Sequence, residues 1–259
     1  MTFLQQYGPW ALIVGGSEGI GAALARDIAE QGLNLLLVAR NKERLDALAD
    51  DIHAQHPERE IRTLSTDMSA ESGAAAVVEA ARELDIGLLI YNAGACSQYH
   101  NFHDVGLDFN LKLTTLNVLN KMRLVYSFGA AMRERRRGGI ILMGSNVSVV
   151  GLPGFATYAA TKAFSSIFSE GMWHEMGQYG VHLLGFVVAE TATPAIARNY
   201  PGRKGSGADP ADVARQALSN LAKGPIAYAE NGAARVKEWA SLPRDVAVTQ
   251  MYENTAIYR

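Results

Sequence analysis

Between residues 14 and 21 the chain reads Val14-Gly15-Gly16-Ser17-Glu18-Gly19-Ile20-Gly21, and this stretch decides the fold. It joins a short apolar run, residues 11–14, to a stretch with the apolar spacing of a helix. Gly15 allows a sharp turn, Gly19 allows backbone to approach a pyrophosphate, and Gly21 allows the helix to pack closely on a sheet. Because the free amides and the dipole at a helix start attract anions, the stretch predicts a dinucleotide-binding turn.

Short apolar runs alternate with amphipathic stretches along the rest of the chain. Strands are predicted at residues 11–14, 34–39, 61–65, 86–91, 139–143, 181–188 and 225–229, and helices at 19–31, 42–54, 70–84, 111–137, 155–179 and 210–221. The apolar runs do not alternate with polar residues, which is typical of a parallel sheet covered on both faces. The pattern predicts an α/β fold, a doubly wound, Rossmann-like parallel sheet of about seven strands with helices on both faces. We expect one domain, residues 1–259, with a substrate loop at about 189–209.

Composition excludes several classes of protein. The chain has 259 residues, 24 Lys and Arg against 26 Asp and Glu, a net charge of −2, and 48% hydrophobic residues. This near-neutral balance argues against a nucleic-acid partner. No apolar run reaches about 18 residues and no basic segment opens the chain, so we expect a cytoplasmic protein without a membrane partner. The single cysteine, Cys96, excludes an intramolecular disulfide, and Cys96, His100 and His103 lack a fourth ligand, so no metal is expected.

The end of the second predicted strand indicates which dinucleotide is bound. An acidic residue here would bind the adenosine ribose of NAD, but the chain has Ala39 followed by Arg40. The guanidinium of Arg40 can pair with a 2′-phosphate, whereas Glu18 in the nearby turn would repel that phosphate. On balance the sequence favours NADP(H) over NAD(H).

Tyr158 and Lys162 lie four residues apart, which places a phenol and an ammonium on one face of a helix. Ser145 follows the fifth predicted strand, at the sheet edge where the glycine turn also lies. An unperturbed tyrosine has a pKa of about 10, and an ammonium about 4 Å away supplies about the 4 kcal/mol needed to bring it to about 7. Tyr158 can then exchange a proton with a carbonyl or an alcohol, while Ser145 holds the substrate oxygen.

Together these motifs resemble the short-chain dehydrogenase/reductase family, in its compact single-domain branch, from Trp10 to about Pro194. The resemblance implies a catalytic tetrad of Asn117, Ser145, Tyr158 and Lys162, in which Asn117 holds a water of a proton relay. It implies cofactor contacts from Gly15, Ser17, Gly19, Ile20, Gly21, Arg40, Asp67, Met68, Asn92, Ala93, Gly94, Tyr158, Lys162 and Thr193. Two positions depart from the family pattern: Tyr91 replaces the first Asn of an Asn-Asn-Ala-Gly stretch, and Val188-Ala189 replaces Pro-Gly.

The segments expected to line the substrate site are rich in apolar residues. They are residues 95–104, 146–155 and 195–209, and they favour a bulky ketone or secondary alcohol, such as a steroid, terpenoid or aryl ketone. The N-terminal half also resembles the hydroxysteroid dehydrogenase and long-chain ketoacyl reductase members of the family.

Two other functions stay open. A ketoacyl-thioester reductase could use Arg198, Arg203 and Lys204 to bind an acidic carrier protein. A non-catalytic NADP(H)-sensing regulator is the other alternative, although such relatives usually lose the Tyr or the Lys. The long predicted helices at 111–137 and 155–179 carry surplus apolar residues, so we expect a homo-oligomer, a dimer or a tetramer.

Overall fold

A seven-stranded parallel sheet occupies the centre of the computed structural model, which describes residues 1–94, 99–203 and 205–254. The strands are β1 (Trp10–Val14), β2 (Asn34–Ala39), β3 (Ile61–Ser65), β4 (Ile86–Tyr91), β5 (Gly138–Met143), β6 (Val181–Val187) and β7 (Ile226–Tyr228). Their order in the sheet is β3-β2-β1-β4-β5-β6-β7, and all six pairings are parallel. The strand order reverses between β1 and β4, so a crevice opens there at the carboxyl ends of the strands. The predicted doubly wound sheet is confirmed.

Helices cover both faces of this sheet. They are α1 (Phe3–Tyr7), α2 (Gly19–Glu30), α3 (Lys42–Gln55), α4 (Gly73–Ala80), α5 (Leu107–Thr114), α6 (Asn120–Glu134), α7 (Ala156–Gly177), α8 (Pro194–Asn199), α9 (Pro210–Asn220), α10 (Glu230–Ser241) and α11 (Arg244–Asn254). Within the described part of the chain, no helix has both the length and the apolar composition that a bilayer crossing requires.

The core is divided between the two faces of the sheet because successive strand residues point in opposite directions. Ala11 and Ile13 of β1 pack with the helices α2, α3 and α9, whereas Leu12 and Val14 pack with α4, α6 and α7. All four of these side chains are fully buried. Burying a Leu or Ile side chain contributes about 1.5–3 kcal/mol, so uninterrupted apolar strands are what a sheet covered on both sides needs.

The single long helix predicted at residues 111–137 is wrong in three respects. The helix begins earlier, at Leu107, and it ends at Glu134. A π-helical turn, Thr115–Leu119, also separates α5 from α6. Such a turn adds one residue to the helix, and the stretch Thr115–Leu119 contains no Gly or Pro that would mark it in the sequence.

The substrate loop and the C-terminus contain helices that were not predicted from the sequence. Residues 189–209 hold α8 and a short 3₁₀ turn, Pro201–Arg203, instead of being irregular throughout. After β7 the chain forms α10 and α11, which pack beside the loop that follows β5. The helix predicted at 70–84 is confined to α4, because residues 67–73 form consecutive turns closed by Ala70 N–H to Asp67 O and Gly73 N–H to Ala70 O.

Candidate active site

The glycine turn between β1 and α2 packs tightly against the end of β4. Gly15 has a φ of +84°, and a Cβ on it would lie 2.6 Å from the backbone nitrogen of Ala93. A Cβ on Gly21 would lie 2.0 Å from the carbonyl oxygen of Gly15, so the helix approaches the turn more closely than any side chain permits. The Asn92 side chain donates a hydrogen bond of 2.9 Å to the same carbonyl. Glycine is therefore required at both positions by the packing of the protein itself.

The start of α2 offers backbone amides to a ligand. Glu18 occupies the N-cap position of α2 but makes no side-chain capping hydrogen bond, because its carboxylate binds Arg44 and Arg198 instead. Gly19 has a φ of +56° and opens the first turn, where the helix dipole favours an anion. This uncapped helix start fits the pyrophosphate of a dinucleotide.

The predicted adenine side lies at the ends of β2 and β3. Burial raises the pKa of Asp67, but hydrogen bonds from Ser69 and the charge of Arg40 outweigh it and leave that pKa below its usual value. Arg40 itself is exposed, and the Met68 side chain is buried. The Met68 carbonyl accepts a hydrogen bond of 2.9 Å from Asn120. Arg40, Asp67 and Met68 therefore border one region of the crevice.

Lys162 lies at the centre of the predicted catalytic group. Its Nζ donates a hydrogen bond of 3.3 Å to the carbonyl of Met143, at the end of β5, and lies 5.6 Å from the ring centroid of Tyr158. Burial lowers the pKa of Lys162 to about 8, so the amine is mostly charged at pH 7. Ser145 follows two residues after Met143, and its buried hydroxyl is 3.4 Å from the Asn146 side-chain oxygen.

Asn117 reaches the same place from the π-helical turn. Its Nδ2 donates a hydrogen bond of 3.0 Å to the hydroxyl of Thr161, which neighbours Lys162 on α7. A Cβ on Gly94 would lie 2.7 Å from Asn117 Oδ1 and 3.0 Å from Lys162 Nζ, so the two polar groups approach one point. Among the described residues, Asn117 Oδ1 is buried without a hydrogen-bond partner. The structure thus brings together Asn117, Lys162 and Gly94.

Thr193 lies opposite the glycine turn. Its hydroxyl caps α8 by accepting a hydrogen bond of 3.3 Å from the Ile196 amide. A Cβ on Gly19 would lie 3.0 Å from the Thr193 methyl group. The segment that follows Val188-Ala189 therefore brings Thr193 to the glycine turn without the Pro-Gly pair of the family pattern.

A second buried lysine was not recognised in the sequence. Lys121 of α6 is fully buried, donates a hydrogen bond of 2.5 Å to Ser165 Oγ, and lies 5.4 Å from the Tyr91 ring centroid. Burial and the charge of Lys162 hold the pKa of Lys121 well below its usual value. The signal in the sequence for this buried lysine is its position on the apolar face of an amphipathic helix.

An apolar lobe lies beside the predicted catalytic group. The ring of Tyr99 packs edge-on against Phe155 at a centroid distance of 5.6 Å and lies directly over Gly154. Trp239 of α10 and Met251 of α11 are buried in the same cluster, which Tyr158 borders. Two C-terminal helices therefore form part of this lobe, together with the predicted segment 146–155.

The basic residues and histidines of the predicted substrate segments have other contacts. Arg198 pairs with Glu18, and Arg203 pairs with Glu190; Lys204 and Cys96 lie outside the described residues. His100 and His103 make edge-on ring contacts with Phe109 and Phe102, respectively. Over the described ranges, no group of three His, Cys, Asp or Glu side chains is placed to hold a metal ion.

Comparison with known proteins establishes the family. The family model described as short chain dehydrogenase matches residues 9–203, which is most of the chain. The chain therefore belongs to the short-chain dehydrogenase family, as its motifs suggest.

Three relatives illustrate the range of similarity. The chain is 32% identical over 228 residues to a 7beta-hydroxysteroid dehydrogenase of Clostridium sardiniense, covering 86% of each chain. It is 36% identical over 181 residues to a very-long-chain 3-oxoacyl-CoA reductase-like protein of Arabidopsis thaliana, covering 69% of this chain but only 58% of the relative. A short-chain dehydrogenase from Sphingobium yanoikuyae, solved in complex with NADPH, has a TM-score of 0.80 and 30% identity over 89% of this chain and 91% of its own.

Proposed function

We propose that the chain is an NADP(H)-dependent oxidoreductase that interconverts a ketone and a secondary alcohol on a bulky apolar substrate. The observation that carries this proposal is the convergence of Lys162, Asn117 and Tyr158 beside Gly94, at the sheet edge that also holds the glycine turn. A charged amine packed against a phenol is an arrangement suited to general acid–base catalysis.

The chain's own residues would handle the proton. The nicotinamide cofactor, when bound, supplies or accepts the hydride. In the reducing direction, Tyr158 donates its phenolic proton to the carbonyl oxygen, which Ser145 also holds by a hydrogen bond. The buried ammonium of Lys162 stabilises the resulting phenolate, because opposite charges interact strongly where water is excluded.

Asn117 would support the return of the proton to Tyr158. Its unpaired Oδ1 and the Lys162 amine both approach Gly94, and a water bridging two such groups is a normal element of buried sites. The hydrogen bond from Asn117 to Thr161 connects the π-helical turn to α7, and it fixes the position of Asn117 relative to Tyr158 and Lys162.

Two arginines support the choice of NADP(H). Arg40 follows β2 and is exposed at the crevice. Arg44, in the first turn of α3, pairs with Glu18, so a 2′-phosphate that binds Arg44 must displace this carboxylate. Guanidinium groups bind phosphates by paired, charge-assisted hydrogen bonds. NADPH bound to the Sphingobium relative is consistent with this choice. We expect tighter binding of NADPH than of NADH, and a gap that Arg40→Ala narrows by about 1–3 kcal/mol.

The apolar lobe supports a bulky substrate. Tyr99, Phe155 and the C-terminal helices present aromatic and aliphatic surface, which suits a steroid or an aryl ketone. A long-chain ketoacyl thioester is the second candidate, because one relative is named as an oxoacyl-CoA reductase-like protein. The carrier-protein version of this alternative is weaker, because Arg198 and Arg203 are already paired with carboxylates.

We also propose that the protein is a cytoplasmic homo-oligomer. Large apolar side chains are exposed on α5, α6 and α7, among them Leu107, Tyr126 and Ile167 at 65%, 82% and 69%. Residues 156–163 of α7 border a groove of about 400 Å³, but Val150, Leu152 and Val248 of the apolar lobe also line it, so this groove belongs to the proposed substrate region and not to the exposed apolar surface.

A panel of steroids, aryl ketones, ketoacyl-CoA thioesters and the corresponding alcohols tests the function. Oxidation and reduction are followed at the nicotinamide absorbance with each cofactor, and Tyr158→Phe serves as the inactive control. Turnover of a bulky ketone with NADPH is the expected result. Binding of NADPH without turnover of any compound would favour the sensing regulator instead.

A further inference from the structure

One carboxylate joins two arginines from different sides of the glycine turn. Glu18 Oε2 accepts a hydrogen bond of 2.8 Å from Arg44 of α3 and another of 2.8 Å from Arg198 of α8. Glu18 Oε1 accepts a second bond from Arg198, so this pair is bidentate. The hydrogen bonds from Arg198 hold the pKa of Glu18 below its usual value, which keeps the carboxylate charged.

The Glu18–Arg198 pair and further contacts hold α8 against the glycine turn. Thr193, which caps α8, packs against Gly19 at the start of α2. The base of the segment is closed by Ala192 N–H to Ala208 O at 2.9 Å and Ala208 N–H to Glu190 O at 3.0 Å. The Glu18–Arg198 pair therefore links α8, within the segment closed by these two hydrogen bonds, to the glycine turn.

The charges of Glu18, Arg44 and Arg198 couple the binding of a 2′-phosphate to the position of α8. Glu18 contacts Arg44 directly, so a 2′-phosphate bound by Arg44 would lie close to the Glu18 carboxylate. Like charges at this range oppose binding unless a cation neutralises one of them. Arg198, which lies on α8, is such a cation, because it pairs with Glu18.

Building on the proposed NADP(H) preference, we propose that Arg198 and Glu18 determine cofactor specificity together. Arg198 neutralises the charge of the Glu18 carboxylate, so that Arg40 and Arg44 can bind a 2′-phosphate. The 2′-phosphate in turn draws Arg44 from Glu18 and strengthens the hold of Glu18 on Arg198. NADP(H) therefore favours the position of α8 against the glycine turn, whereas NAD(H) does not.

A double-mutant cycle tests this coupling. Dissociation constants for NADPH and NADH are measured by fluorescence titration for wild type, Arg198→Met, Glu18→Gln and the double variant. Arg198→Met should weaken NADPH about three- to tenfold and NADH less than twofold, as expected for removal of a partly exposed pair. Glu18→Gln should tighten NADPH, and adding Arg198→Met to it should change little.

Arg26→Met is the matched control. Arg26 has nearly the same side-chain exposure as Arg198, 48% against 46%, and pairs with Asp51 on the far side of α2. Its loss should leave both dissociation constants unchanged.

Hydrogen exchange provides a second readout. At saturation, NADPH should slow exchange in residues 194–199 more than NADH does, and Glu18→Gln should abolish that difference. The proposal would be overturned if Arg198→Met weakened the binding of NADPH and NADH equally. It would also be overturned if Arg198→Met weakened NADPH binding as much in the Glu18→Gln background as in wild type. If wild type binds both cofactors equally, the proposed NADP(H) preference fails, and the change in the NADPH-to-NADH ratio on Arg198→Met still decides the coupling.

Discussion

At the scale of single residues, Tyr158 and Lys162 should fail in different ways when substituted. Tyr158→Phe removes the proton donor but keeps the ring, so kcat should fall about 10²–10⁴-fold with cofactor affinity nearly unchanged. Lys162→Ala also removes a buried charge beside the cofactor crevice, so kcat and cofactor affinity should both fall and the pH–rate profile should shift to higher pH.

Steady-state kinetics and cofactor titration of each variant check this prediction. Lys162→Arg should recover activity only in part, because guanidinium lacks the compact geometry of an ammonium. The double variant should be little worse in kcat than Tyr158→Phe, since the two side chains act as a unit. Clearly multiplicative losses would mean that Lys162 does not work through Tyr158.

The two buried lysines also make stability depend on pH. Their folded-state pKa values are lowered, that of Lys162 to about 8, so above pH 8 the unfolded chain binds more protons than the folded chain. The free energy of unfolding should therefore rise between about pH 8 and 9.5. At still higher pH it should fall again, because burial raises the pKa of Tyr7 to about 12 and that of Tyr91 further, so the unfolded chain loses these protons first.

Lys121→Met separates the contribution of one lysine. Methionine fills a similar volume without a charge, so the variant should be at least as stable at pH 7. Above pH 8, its free energy of unfolding should rise less steeply with pH, by up to about 1.4 kcal/mol per pH unit. Urea unfolding at several pH values measures both quantities. An unchanged slope would show that Lys121 carries the same charge in the folded and unfolded chains.

At the scale of elements, the strands and the glycine turn can be predicted because local sequence determines them. Buried runs such as Ile86–Tyr91 and the spacing of Tyr158 and Lys162 need no distant information. The hydrogen bond from Asn117 in the π-helical turn to Thr161 joins residues 44 positions apart, and the Glu18–Arg198 pair joins residues 180 positions apart. The helical periodicity of the sequence does not predict either contact.

The junction of the glycine turn and α2 gives an element-scale prediction. Gly21→Ala places a methyl group 2.0 Å from the Gly15 carbonyl, so α2 must shift and cofactor affinity should fall at least tenfold. Gly177→Ala, at the end of α7, is the control, because nothing lies within 4 Å of its new Cβ. That variant should gain up to about 1 kcal/mol in stability. Titration and thermal unfolding measure the two effects, and unchanged cofactor binding by Gly21→Ala would refute the close packing.

At the scale of the whole molecule, the exposed apolar residues of α5–α7 predict self-association. Light scattering at micromolar concentration should give a dimer or a tetramer. Ile167→Glu, at the exposed centre of α7, should produce a folded monomer because a buried unpaired carboxylate opposes the contact. Ala47→Glu changes an exposed residue of α3, on the opposite face of the sheet, and should leave the assembly intact. A monomeric wild-type protein would contradict the prediction.

The reversal of strand order between β1 and β4 has a consequence for the nascent chain. The glycine motif leaves the ribosome early, but its turn is completed by Asn92 and Ala93, which arrive after β2 and β3. The β1–β4 pairing closes a loop of more than seventy residues, so its entropic cost must be met before the crevice exists. A growing chain that ends before Asn92 therefore carries the glycine motif without the complete turn, and a dinucleotide can bind only to chains that already contain β4 and Ala93.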